Sequence, residues 1–175
     1  NFDSNPALLG YTFSGTNNSW DFTNTASVSA PTSLTDSPAG NYLDNTNSFA
    51  TGPVFSTVGQ RGCRLVPQLR LATELGFDAL FTDSSADGGT TWVNQSGWSG
   101  STGGFLLFTL AELPDGKPNS RFRFNFVSDG SGTFDGLYLD DVRVACTSGT
   151  PNGTTDYQFL AGTSMATPHV TGVVG

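Results

Sequence analysis

Three observations on the 175-residue sequence predict an all-β chain, a jelly-roll β-sandwich followed by a linker and a short C-terminal helix. Phenylalanine occurs 14 times, and several copies alternate with polar residues at period two. Clusters of Gly, Asn and Asp punctuate the apolar stretches as turns do. Before residue 147 no apolar helical period is visible, and several short strands with regular turns read as a sandwich.

The clearest strand is Arg121-Phe122-Arg123-Phe124-Asn125-Phe126, in which every second side chain is aromatic, as a half-buried strand requires. Phe77, Ala79 and Phe81 alternate in the same way. Gly104 to Leu110 is almost continuously apolar, and its length and Phe content suggest a strand buried on both faces, with a short core helix as the alternative. Leu65 to Ala72 and Gly136 to Cys146 add two more strands. Asp87-Gly88-Gly89 reads as a tight hairpin turn, with glycine supplying positive φ. Pro114-Asp115-Gly116 and Asp129-Gly130-Ser131-Gly132 read as turns also. No internal repeat is present.

The division expected is a sandwich over 1–147, a linker over 148–156 and a distinct segment over 157–175. The linker region, Ser148 to Asp156, lacks apolar residues and is built from turn formers. Beyond it, Thr163 can cap a helix that begins at Ser164, with Pro168 in the first turn and Val170, Val173 and Val174 at helical spacing. The chain begins at Asn1-Phe2-Asp3 without an initiator Met, so it reads as a mature fragment or an excised piece.

Charge excludes some partners. Lys and Arg number 7 against 15 Asp and Glu, a net charge of −8. No basic footprint for nucleic acid exists, and the acidity disfavours an anionic membrane surface. No apolar run approaches the roughly 20 residues of a membrane-spanning helix. Cys63 and Cys146 stand 83 positions apart, a separation that matches no zinc or redox motif. They read either as two buried thiols or as a disulfide tying an early strand to the last one.

Gly162-Thr163-Ser164-Met165-Ala166-Thr167-Pro168-His169 carries a chemical signal. A serine at a helix N-terminus can place its own amide toward a developing oxyanion, and the helix dipole favours that charge. Gly162 lets a substrate backbone approach. From Tyr157 to Gly172 the chain resembles the catalytic-serine segment of the subtilisin-like proteases (subtilases). That resemblance implies a secreted Ser-His-Asp endopeptidase as the parent, acting on peptide or protein substrates with Ser164 as nucleophile. The family's histidine and aspartate motifs have no counterpart here. His169 is the sole histidine, and it matches the motif histidine after the serine rather than the base. The expectation is therefore an inactive piece of such an enzyme, with the sandwich inserted ahead of the serine helix.

Asn1-Phe2-Asp3, Ser33 to Tyr42, Ser85 to Trp92 and Asp135 to Val142 occur in an order that resembles the jelly-roll modules of secreted bacterial proteases and adhesins, of MAM-like or cleaved-adhesin type. The resemblance implies an accessory domain that binds proteins or glycans or helps folding, and many such modules hold a structural calcium. Calcium needs several hard oxygen ligands, and Asp3, Asp36, Asp140 and Asp141 are the candidates. Asp140 and Asp141 are adjacent in a strand, so only a bulge would aim both to one side. Asp83–Asp87 and Asp129–Asp135 lack EF-hand features and read as turns.

Trp20, Trp92 and Trp98 with Tyr11, Tyr42 and Tyr138 could form a sugar-stacking platform, although such aromatics more often belong to the core. Asn17, Asn94 and Asn152 head glycosylation sequons, read as incidental in so Asn- and Ser-rich a chain. Two alternatives stand beside the protease-fragment reading. One is an active hydrolase or esterase using Ser164 with an unforeseen base. The other is a calcium-dependent binding or adhesion module.

Overall fold

Alternating side chains dictate the architecture. Arg121, Arg123 and Asn125 point one way, while Phe122, Phe124 and Phe126 point the other and are buried. The computed structural model describes residues 2, 9–148 and 157–161. Among these run β1 (Thr12–Thr16), β2 (Asp21–Thr23), β3 (Ser33–Thr35), β4 (Asn47–Thr51), β5 (Gln60–Ala72) and β6 (Ala79–Ser85). They are followed by β7 (Val93–Trp98), β8 (Leu106–Leu107), β9 (Ala111–Glu112), β10 (Arg121–Val127), β11 (Gly136–Ser148) and β12 (Tyr157–Ala161).

The strands form two antiparallel sheets, a sandwich of jelly-roll type. One runs β1-β4-β10-β6-β7, and the other runs β2-β3-β11-β5-β8, with β9 also on β5 and β12 also on β11. The core between them is aromatic on the β10 side and aliphatic on the other, where Leu65, Leu69, Leu71, Leu137 and Leu139 face inward. Each such fully buried side chain contributes about 1.5–3 kcal/mol. Cys63 and Cys146 form a disulfide that ties β5 to β11.

The long β5–β11 ladder breaks between Asp140 and Arg143. Leu137 and Leu139 face inward before the break, and Val142, Val144 and Cys146 after it. Asp141, at φ 46°, is the extra residue, so Asp140 and Asp141 both lie on the outer side. Pro67 of β5, which has no amide to donate, sits opposite this bulge, between the pairs Gln68–Asp140 and Val66–Arg143.

Three sequence expectations are corrected. The C-terminal helix is the first: no helix occurs among the described residues, and the segment 157–161 is β12, paired with Arg143–Thr147 of β11. That part of β11 would otherwise expose an open ladder, whereas a short free helix is marginal in water. The helix read from Ser164 onward lies outside the described residues. The second is the Gly104–Leu110 run, which yields only β8, with Leu106 and Leu107 more than half exposed. An apolar run alone does not show that its strand will lie at a sheet edge. Phe77 likewise falls in the turn before β6 and is exposed.

Candidate functional site

The outer face of the five-stranded sheet collects the first group of chemically capable residues. Register places Ser14, Phe49, Asn125, Phe81 and Gly97 in one row across all five strands. The next row holds Thr12, Thr51, Arg123, Asp83 and Asn94. The Arg123 guanidinium lies 4.3 Å from the Phe49 ring centre and 4.4 Å from that of Trp92, a cation between two π faces. Its Nε donates to Asp83 Oδ2 at 2.7 Å, and Asn94 Nδ2 donates to Asp83 Oδ1 at 3.0 Å. The ring of Phe81 crosses Gly97, where an added Cβ would come within 2.7 Å of it.

Trp92 is delivered to this face by the β6–β7 hairpin. Asp87 Oδ1 accepts the Thr90 and Thr91 amides at 3.0 and 2.9 Å and the Ser85 hydroxyl at 2.7 Å. Its Oδ2 accepts the Thr91 hydroxyl at 2.6 Å. These bonds, led by that of the Thr91 hydroxyl, hold the Asp87 carboxyl well below the usual carboxylate range. Gly88 and Gly89, at φ 75° and 100°, supply the left-handed turn that this carboxylate closes.

A second group lies where the β5–β6 turn meets the β10–β11 loop. Carboxylate oxygens of Glu74, Asp78 and Asp129 lie within 4.8 Å of one another. Asp78, with 0% of its surface exposed, accepts the Tyr42 phenol on Oδ2 at 2.6 Å and the Asp129 amide on Oδ1 at 2.8 Å. Glu74 Oε2 is covered and has no hydrogen-bond partner. Desolvation, then the nearby Asp129 and Asp78, raise the Glu74 carboxyl above its ordinary pKa. Burial, then the hydrogen bond to Asp78, pushes the Tyr42 phenol up as well. Three hard oxygens, one of them orphaned, could hold a divalent cation. Phe77, 65% exposed, stands beside this cluster.

The residues nominated from sequence fall elsewhere. Asp140 and Asp141 are brought together by the bulge, and both meet Ser29. Asp140 Oδ2 accepts the amides of Val28 and Ser29 at 2.8 and 2.9 Å, so donors already occupy that oxygen. Asp36 lies apart from them, 2% exposed, with Oδ1 accepting the Leu137 amide at 2.8 Å and Oδ2 unpartnered. Burial raises its pKa to about 7. Asp3 and Ser164 lie outside the described residues. Of the six aromatics considered as a platform, Trp20, Tyr42 and Tyr138 are buried. Trp98 packs edge-on against Phe108 at 4.9 Å.

The sequence pattern does not mark Glu74, Asp78 and Asp129 as a ligand set, nor Arg123, Asp83 and Asn94 as one group. Glu74 and Asp78 stand close in sequence, but Asp129 comes from a distant loop. The alternation of β10 did place Arg123 on a polar face, which was the one available signal.

No protein-family model matches the chain, and no curated protein sequence matches it. Solved structures do match its fold. One, from a study of promiscuous specificity in carbohydrate-binding modules of the β-sandwich superfamily, aligns at TM-score 0.51 and 15% identity over 78% of this chain. The chain spans 57% of that protein. A carbohydrate-binding module in complex with β-1,4-galactotriose aligns at TM-score 0.52 and 8% identity, covering 77% of this chain and 87% of that one. The enzymatically active domain of tailspike protein 4 from bacteriophage CBA120 aligns at 0.51 and 17% identity, covering 79% of this chain and 20% of that one. Identities this low establish the sandwich fold and nothing further.

These findings overturn the protease reading. The chain resembles β-sandwich modules over more than three quarters of its length, and residues 157–161 complete the sandwich's own sheet rather than opening a catalytic segment. The described residues contain no histidine, so no serine triad can be assembled from them. The inserted MAM-like or cleaved-adhesin identification and the serine-hydrolase alternative are set aside with it.

Proposed function

We propose that this chain is a non-catalytic glycan-binding module, with the outer face of its five-stranded sheet as the binding surface. The observation that carries the reading is the fixed stack of Phe49, Arg123 and Trp92 above the Asp83–Asn94 pair. Saccharides need both parts of such a surface. Apolar ring faces cover the C–H side of a sugar, and a few well-placed polar groups orient its hydroxyls. The Asp83 bond holds the Arg123 guanidinium in place, so little side-chain freedom remains to be lost on binding. The two sandwich modules of similar fold described as carbohydrate-binding support the same reading.

A cation held by Glu74, Asp78 and Asp129 would be calcium, in a structural role. Oxygen-only donors suit a hard ion, and the cluster joins the β5–β6 turn to the β10–β11 loop and Tyr42. An extracellular location is part of this proposal. The Cys63–Cys146 disulfide and the acidic, lysine-poor composition support it. A glycan array probed with the full chain tests the reading: retention of at least one oligosaccharide class is expected. Failure to retain any, with the chain folded and calcium present, would overturn it.

A further inference from the structure

We infer that the cleft between the open edges of the two sheets is a second saccharide subsite that takes a single neutral sugar ring. The inference rests on the glycan-binding reading and adds to it the part of the ligand recognised here, a chain end. β7 is the last strand of one sheet, and β9 borders β5 in the other. Between them lies an open groove of about 280 Å³. Sites for drug-sized ligands run from roughly 300 to 1,000 Å³, so this groove suits one ring rather than a chain.

Its lining fixes the chemistry. Ser84, Thr91 and Gln95 offer hydroxyl and amide groups along the β6–β7 side, and Glu112 stands on the facing wall. Gln95 Nε2 donates to the nearly buried Ser84 Oγ at 3.0 Å, which orients the Gln95 amide and leaves its carbonyl for a ligand. Val93 and Leu113 supply an aliphatic surface for the C–H face of a ring. The lining includes no Lys or Arg, so nothing there would neutralise a sulfate or carboxylate. Glu112 is the one acid, and it already pairs with Arg64 at 3.1 Å, which disfavours a metal ion.

The groove is also continuous with the proposed binding face. Thr91 lines it, and the next residue, Trp92, lies over Arg123 on the outer face. One hairpin therefore serves both places, and a glycan lying on the sheet can turn over it and seat its terminal ring.

Amide chemical shifts of the full chain, titrated with glucose, galactose, mannose and xylose and with trisaccharides of each, separate the two claims. At least one monosaccharide is expected to shift Val93, Gln95 and Leu113 while leaving Phe49 and Asn125 in place. Gln95→Ala should weaken that monosaccharide by at least about tenfold. Val93→Trp, which fills the groove from an exposed position, should abolish it. If trisaccharides shift Phe49 and Asn125 but no monosaccharide shifts the groove, the subsite is wrong and the glycan-binding reading stands. If neither set of amides responds to any sugar, both are wrong.

Discussion

Arg123 and Asp83 form an ion pair in which Nε lies 2.7 Å from Oδ2, with the Asp83 side chain 7% exposed and that of Arg123 24%. The carboxylate is nearly buried, so its stability depends on this partner and on Asn94. Arg123→Leu leaves Asp83 desolvated and unpaired. Breaking a fully buried pair costs about 3–5 kcal/mol, and the partial exposure of Arg123 lowers the expectation to roughly 2–3 kcal/mol. Urea denaturation of the two proteins checks this, and a loss below about 1 kcal/mol would mean that the pair is worth no more than a surface one.

The acidic cluster predicts a calcium response. Excess calcium should raise the melting temperature of the wild-type chain, and at 100 times Kd the gain is about 2.7 kcal/mol. Asp129→Asn should remove the response while leaving the metal-free melting temperature equal or higher, because it relieves repulsion. The Glu74 pKa is raised in the fold, so without a cation its contribution is lost as pH rises through the folded value. Calcium should therefore stabilise more at neutral than at acidic pH. Calorimetry at two pH values with chelator and with calcium reads both effects.

Asp36 gives an independent pH signature. Its folded pKa of about 7 stands above the ordinary 3.8, so between those values the folded chain holds a proton that the unfolded chain lacks. Stability from this group is complete below about pH 3.8 and is lost as pH rises through 7. Asp36→Asn, a neutral isostere, should flatten the stability profile across that window. An unchanged slope in the variant would place the titration elsewhere.

The disulfide predicts a large chain-entropy effect. Closing a loop of 83 positions corresponds to about 4.5 kcal/mol in that description. The double variant Cys63→Ala, Cys146→Ala should lose a comparable amount in urea denaturation. Because both sulfurs are buried between β5 and β11, part of any excess loss would come from the cavity left behind.

Much of the sandwich was legible in the sequence because alternation is a local signal. The faces of β10 could be assigned from Phe122, Phe124 and Phe126 alone. The bulge was foreseen as the condition for Asp140 and Asp141 to act together, but its existence depends on the pairing with β5. Edge position is a property of the sheet, so the exposure of Leu106 and Leu107 could not be read from their hydrophobicity. The candidate sites were illegible for the same reason. Asp83 meets Arg123 across 40 residues, and Asp129 meets Asp78 across 51. The serine segment misleads because a short local motif carries no information about the sheet that the residues just before it join, and 157–161 pair with β11 of the sandwich. Trp92 is legible as an aromatic, but its cation partner follows only from the β6–β10 register.

The central claim is that the outer face of the five-stranded sheet binds a glycan, and Trp92 tests it most directly. Trp92 is partly exposed and packs on Arg123, so Trp92→Ala should leave the fold intact. Titration calorimetry with an oligosaccharide retained on the array should show saturable binding by the wild-type chain and at least about a tenfold loss in Trp92→Ala. Equal affinity in the two proteins would contradict the claim and move the ligand to another surface.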